Sequence, residues 1–299
     1  MEKTLPRMFR ETAKKYPELT AQMSRISEGV WDSISYKNAF EISKNFAGGL
    51  LSIGIKRGDH IGMISDNRKE WQQIDMGLLS IGAIDVPRGC DATIGDLEYI
   101  LSFAKTQTVI VENKSQISKI LGIKDKLSLL KTFISIEDQD EKVFEECKNS
   151  GITLFTFNQI VEKGEEFNQK NPATVDEEIN KGQWDDLASI IFTSGTTGQP
   201  KGVMLTHGNF LSQLEDIDER IWLNPGDRGI LVLPVWHAFE RSVEYVVFSQ
   251  AATLCYSKPI GQILLQDFKS LDPQVLPAVP RVIEAIYDEI YKKMRKTGG

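Results

Sequence analysis

Ten consecutive residues, Thr193-Ser194-Gly195-Thr196-Thr197-Gly198-Gln199-Pro200-Lys201-Gly202, concentrate the groups that grip phosphate. The glycines let the backbone take positive φ angles and approach a ligand with no Cβ in the way. The hydroxyls and exposed backbone N–H groups can donate to phosphate oxygens, and Lys201 adds a positive charge. A triphosphate packs several negative charges into a small volume, which suits such a density of donors. The order is not that of the phosphotransferase P-loop. Counting from Gly195, Pro200 stands where the second glycine belongs, and Gly202 follows the lysine where Ser or Thr is required. A solvated connection is the plain alternative. Against it stand the apolar strand Leu187–Phe192 that the loop leaves and the tight order of glycines, hydroxyls and lysine.

The elements that must carry this loop alternate between short β-rich runs and helical stretches. Ile61–Ile64, Ile84–Pro87, Thr108–Val111, Lys131–Ile136, Leu187–Phe192, Ile230–Leu233, Thr253–Tyr256 and Gln274–Val279 read as strands. Asn67 with Glu70, and Thr93 with Asp96, read as helix starts. Trp71, Ile74, Leu78 and Ile81, then Leu97, Ile100, Leu101 and Ala104, follow at helical spacing. The acidic stretch from about Glu137 to Trp184 reads as a surface connection with a short strand near Ile152–Phe157. The last helix is expected to turn Val282, Ile283, Ile286 and Ile290 inward, its acids early and its bases late. Strands separated by helices imply an α/β fold with two mostly parallel sheets flanked by helices in αβαβα layers, and ligands outside the carboxyl ends of the strands. We expect a first β/α portion over 1–183, including the acidic connection 137–183, and a phosphate-loop β/α portion over 184–299.

Composition narrows the class. The 299 residues carry 35 Lys plus Arg against 42 Asp plus Glu, a net charge of −7. That balance argues against a general nucleic-acid binder, which needs a basic face. No apolar run approaches the roughly 18 residues of a spanning helix. The start has no hydrophobic region of signal-peptide type. Three scattered cysteines, Cys90, Cys147 and Cys255, argue for a reducing cytoplasm and structural roles, and the three histidines form no zinc-type cluster. His60 reads as structural, and His207 with Asn209 as a helix cap.

The segment Thr193–Gly202 resembles the signature of the AMP-forming adenylate ligases: acyl-CoA synthetases, peptide-synthetase adenylation domains and luciferases. Ile64-Ser-Asp-Asn-Arg-Lys-Glu-Trp71 is similar to the early block of the long-chain acyl-CoA synthetases. Leu233-Pro-Val-Trp-His-Ala-Phe-Glu-Arg241 is similar to their second core block, and Val279-Pro-Arg-Val-Ile-Glu-Ala-Ile-Tyr287 to the helix that follows it. The likeness runs the length of the chain. It departs at Val86-Pro-Arg-Gly-Cys-Asp-Ala-Thr93, where many relatives carry a Tyr-Pro-Thr type of segment. The family continues with a Tyr-Gly-x-Thr-Glu block, a ribose-binding acid, a hinge and a small domain with a catalytic lysine. None has a counterpart here, so the resemblance implies the incomplete large N-terminal domain, without the C-terminal catalytic domain and inactive alone.

The resemblance implies a long-chain fatty acid–CoA ligase that joins ATP, fatty acid and CoA through an acyl-adenylate, releasing AMP and diphosphate. It places Thr193, Ser194, Gly195, Thr196, Thr197, Gly198 and Lys201 on the β- and γ-phosphates, with Thr193 also on Mg2+. His237 matches the histidine near the substrate carboxylate and α-phosphate; the competing role is a cap on the next helix. Trp236 and Phe239 are acyl-pocket candidates, with core packing as the even alternative. Glu240 with Arg241 reads as a structural pair, and Arg281 stays ambiguous. The expected partners are the small-molecule substrates, with no nucleic acid. The location is cytoplasmic, with peripheral contact at the inner face of a membrane left open. Two rivals remain: adenylation of an aryl or amino acid, and a non-catalytic nucleotide-binding fragment.

Overall fold

The computed structural model describes residues 3–193, 199–218 and 223–297. In chain order the elements are α1 (Leu5–Lys15), β1 (Thr20–Ser27), β2 (Val30–Ser35), α2 (Tyr36–Ser52), β3 (His60–Ile64), α3 (Lys69–Ser80), β4 (Ile84–Arg88), α4 (Ile94–Phe103), β5 (Thr108–Val111) and α5 (Lys114–Leu121). There follow β6 (Thr132–Ser135), α6 (Glu141–Asn149), β7 (Thr153–Thr156), α7 (Phe157–Lys170), α8 (Thr174–Lys181), β8 (Leu187–Thr193), β9 (Lys201–Thr206) and α9 (His207–Asp218). The chain closes with β10 (Arg228–Leu231), α10 (Ala238–Ser249), β11 (Thr253–Tyr256), α11 (Gly261–Leu271) and α12 (Pro280–Thr297). They form two mostly parallel sheets flanked by helices. Among the described residues, no helix is long and apolar enough to cross a membrane.

The chain divides into two compact units. One holds Met1–Met8, Phe40–Asp66 and Glu70–Ser212; the other holds Phe9–Ala39, Asn67–Lys69 and Gln213–Gly299. The first unit is built on a seven-stranded sheet in the order β7-β6-β5-β3-β4-β8-β9. Strands β3 to β8 run parallel, and β9 returns antiparallel beside β8. Ile61, Met63, Ile64, Val86, Val109, Ile110, Val111, Phe133 and Ile134 are all buried, the continuous apolar run expected of strands covered on both faces. Three of this unit's helix starts carry side-chain caps. Thr93 and Asp96 form the expected capping box on α4; Asn113 caps α5, and Asp140 caps α6.

Glycines set the closest approach in this unit. A Cβ on Gly164 of α7 would lie 1.5 Å from the Asn45 carbonyl oxygen of α2, and one on Gly49 would lie 2.0 Å from the Ile160 carbonyl oxygen. The two helix backbones therefore touch at positions where no side chain fits.

The second unit is built on a four-stranded sheet in the order β10-β11-β1-β2, parallel except for the hairpin of β1 with β2, which turns at Gly29 with φ +70°. Its core gathers Ile230, Val232, Leu233, Cys255, Leu264, Leu271 and Val282. Phe9 stacks on Phe248 with ring centroids 4.8 Å apart, and the Tyr36 hydroxyl donates to the Ala252 carbonyl at 2.5 Å.

Several expectations are corrected. The acidic stretch after residue 137 is not mainly a surface connection: it holds α6, α7 and α8, whose Val143, Cys147, Ile160, Val175 and Ile179 are buried. Gln274–Val279 is not a strand but contributes a single parallel bridge, Val275 to Gly229, because its chain leaves the sheet edge at once. On α12, Val282 is buried, whereas Ile283 and Ile290 are 53% and 42% exposed; the helix packs through a narrower stripe than its apolar residues suggest.

The α2–α7 contact gives a direct test. Gly164→Ala should cost about 3 kcal/mol or more, because a methyl group would be driven into a carbonyl that cannot move alone. Urea unfolding reads this; a cost below about 1 kcal/mol would show the helices free to part.

Candidate functional site

The first unit presents the carboxyl ends of six parallel strands along one edge of its sheet. Strand β8 reaches that edge with Ala188 to Phe192 buried and Thr193 exposed. Strand β9 starts there with Lys201, and the two strands pair in unbroken register from Ser189 opposite Leu205 to Thr193 opposite Lys201. Both predicted phosphate-binding residues that can be placed thus face each other at the mouth of the 194–200 connection. Ser194, Gly195, Thr196, Thr197 and Gly198 lie outside the described residues.

The hairpin is wedged below this mouth. Phe192 meets the rings of Tyr99 and Phe103 edge-on, at 6.3 and 6.0 Å between centroids. Gly202 crosses over it: a Cβ there would come within 3.0 Å of Ile190 and 3.2 Å of Phe192. The glycine after the lysine therefore lets β9 lie flat on β8.

Sequence reasoning missed a cluster along the same edge. Asp66, Cys90 and Glu112 follow β3, β4 and β5, and their ligand atoms lie within 4.8 Å of one another. Glu112 accepts from the Ser65 hydroxyl at 2.9 Å and the Asp66 N–H at 2.8 Å; Asp66 accepts from the Cys90 N–H at 3.0 Å. Burial, then the neighbouring Glu112 and Asp66 carboxylates, push the Cys90 thiol far above its ordinary range, which keeps it protonated and unreactive. Burial also raises Asp66, against the pull of the Cys90 N–H. The carboxylates hold loop backbone, and spacing alone could not reveal this because the three residues are distant in sequence.

In the second unit, His237 sits at the N-cap of α10 with extended backbone, φ −94° and ψ 142°. Its ring makes no capping hydrogen bond to the helix it precedes. The ring is exposed beside Trp236, with centroids 6.0 Å apart, and Trp236 is half-buried. Phe239 points outward, 58% exposed. Arg241 is wholly buried, donates from Nε to the Tyr245 hydroxyl at 2.7 Å and lies over its ring. Glu240 is buried as well. Burial pushes its carboxyl up to about 8, and the neighbouring Leu233 and Val232 N–H groups draw it back only in part.

Two other readings shift. Asn67 is no helix cap: its side chain bonds the main chain at Leu233 and Val235. On α9 the cap is Thr206, which exchanges hydrogen bonds with Asn209, while His207 is buried and accepts from the Leu5 N–H. His60 is structural, with Nδ1 at 2.8 Å from the Ala104 carbonyl oxygen.

Against known proteins, the family model described as AMP-binding enzyme matches residues 9–298. A chloroplastic long-chain-fatty-acid–[acyl-carrier-protein] ligase of Arabidopsis thaliana is 29% identical over 98% of this chain and 40% of its own length. Long-chain-fatty-acid–CoA ligase 1 of Homo sapiens is 30% identical over 92% of this chain and 39% of its own. The chain thus spans about two-fifths of the length of the curated relatives it matches. Among solved structures, the N-terminal domain of FACL13 from Mycobacterium tuberculosis superposes with a TM-score of 0.75 at 21% identity, covering 95% of this chain and 64% of that one. The adenylation domain of a carboxylate reductase from Mycobacterium chelonae gives 0.80 at 18% identity, covering 98% and 48%. Both share the fold.

Glu240 supplies the test of this site's electrostatics. Its carboxyl ionises near 4.5 in the unfolded chain and near 8 in the fold, so between those values unfolding releases a proton and stability falls as pH rises. Glu240→Gln keeps the shape and cannot ionise. Relative to wild type it should gain about 1.4 kcal/mol per pH unit across that window. Urea unfolding at a series of pH values measures the difference; parallel curves would contradict it.

Proposed function

We propose, from the premise that this chain belongs to the family of AMP-binding enzymes, that it carries the phosphate grip and the carboxylate-activating histidine of a long-chain fatty acid–CoA ligase. The substrates are MgATP, a fatty acid and CoA. A carboxylate is a poor acyl donor, and joining it to AMP supplies a good leaving group. In the first step a carboxylate oxygen attacks the α-phosphorus. The bond from that phosphorus to the β-bridging oxygen breaks, and diphosphate leaves. In the second, the thiol sulfur attacks the acyl carbon, its proton passes to solvent, and the acyl–oxygen bond breaks to release AMP.

Catalysis of the first step is mainly positioning and charge neutralisation. Thr193, the donors of Ser194 to Gly198 and Lys201 hold the β- and γ-phosphates, drawing charge away from the bond that breaks. The Thr193 hydroxyl serves the magnesium that arrives with ATP. His237, exposed at the end of the segment after β10, meets the carboxylate and α-phosphate. Trp236 and the outward Phe239 flank the acyl chain. The long-chain substrate is taken from the names of the relatives, and we assign CoA as the thiol acceptor.

The observation that carries this reading is the pairing of Thr193 with Lys201 across the mouth of the 194–200 connection. It puts a hydroxyl and an ammonium on either side of the glycine-and-hydroxyl stretch, on two paired strands. The buried, unpaired Cys147 and Cys255 support a reducing, cytoplasmic setting.

Calorimetric titration of residues 1–299 with MgATP tests the grip. Wild type should bind without forming acyl-adenylate, and Lys201→Ala with Thr196→Ala should weaken binding at least about tenfold, the worth of one charge-assisted hydrogen bond. Equal affinity in the double variant would remove the assignment. Acyl-adenylate made from palmitate by these residues alone would show that they need no further groups.

A further inference from the structure

We propose that Asn67 is the positioning residue for His237: its carboxamide stands in for a neighbouring strand beside Pro234 and so fixes the turn that presents the histidine. The inference rests on reading His237 as the site histidine.

Strand β10 ends at Leu231, and six residues later His237 stands at the N-cap of α10. This segment needs an anchor, and Pro234 in its middle has no N–H to offer. The Asn67 Nδ2 donates to the Leu233 carbonyl at 2.6 Å, and its Oδ1 accepts from the Val235 N–H at 3.0 Å. A residue in a parallel ladder does the same: it bridges the carbonyl before and the N–H after the residue it faces. The carboxamide therefore pairs across Pro234 as a strand would. Its orientation is chemically determined, since exchanging N and O would set oxygen against oxygen and hydrogen against hydrogen.

From there the connection to His237 is one hydrogen bond long. The His237 N–H donates to the Pro234 carbonyl at 3.1 Å, and the His237 carbonyl accepts from the Arg241 N–H at 3.3 Å. These two bonds tie the His237 main chain, from which the imidazole projects, to the segment that Asn67 holds. Leu233 and Val235 are 7% and 1% exposed, so water cannot replace the Asn67 bonds without cost. Asn67 is itself held. The next residue but one, Lys69, pairs with Asp32 of β2, and its carbonyl accepts from the buried Gln22 side chain of β1 at 3.1 Å. Aspartate would keep only the accepting half, and glutamine reaches one methylene too far.

The test uses the 299-residue chain with isotope-labelled histidine, followed by NMR, and needs neither ATP nor acid. Its failure is therefore distinct from a failure of MgATP binding. In Asn67→Asp and Asn67→Ser the His237 ring signals and titration midpoint should move, while those of His60 and His207 stay. Val235 N–H exchange should rise about tenfold or more, the loss of one buried hydrogen bond. In wild type, one Asn67 side-chain amide proton should exchange at least about tenfold more slowly than in a free asparagine, a readout that needs no variant. His237 signals that match wild type in the variants, or an Asn67 amide exchanging at the free rate, would overturn the proposal.

Discussion

Parallel strands deliver all their carboxyl ends to one edge, and a backbone leaving that edge must satisfy its polar groups with whatever the next loop provides. In the first unit this rule lines up the residues that follow β3, β4 and β5 with the last residue of β8, so that Asp66, Cys90, Glu112 and Thr193 share an edge although 127 positions separate the first from the last. In the second it sets the segment after β10, and with it His237, at a strand's carboxyl end. Chemistry is possible at such edges because ladders hold the strands while loops remain free to meet a ligand.

What rigidifies each edge is polar satisfaction more than packing. Glu112 closes the turn after β3, Asp66 holds the Cys90 loop, and Asn67 supports the segment after β10. The antiparallel return of β9 serves the same end: it sets Lys201 opposite Thr193, with Gly202 admitting the close crossing over Phe192. Within α10, burying Glu240 and Arg241 costs stability that a purely apolar helix would not lose. The Tyr245 hydroxyl and ring offset part of that for the guanidinium.

Much of this could be read in the residues. The apolar runs at Thr108–Val111 and Thr253–Tyr256 coincide with β5 and β11, and the Thr93–Asp96 box starts α4 as its spacing implied. Failures have physical causes. In the acidic stretch, solvent-facing charges masked α6 and α7, although Asp140 and the Thr156–Gln159 capping box mark both starts. Asn67 followed three residues later by Glu70 imitates a helix start, and a long-range main-chain contact won over the local one. The hairpin partner β9 was hidden by the glycines and lysine at its head. Of the candidate site, Thr193 and Lys201 are singled out by residue type and order and His237 by the resemblance of its block; the Asp66, Cys90 and Glu112 cluster is not, since only the sheet topology brings it together.

We propose that the stretch between Thr193 and Lys201 takes hold of a nucleoside triphosphate. Relaxation of backbone amide signals by a paramagnetic Mn2+–ATP complex tests it most directly, because broadening falls steeply with distance from the metal. Thr193, Lys201 and the residues between them should broaden first as the complex is added. Sharp signals throughout 193–202, with broadening confined to another part of the chain, would contradict it.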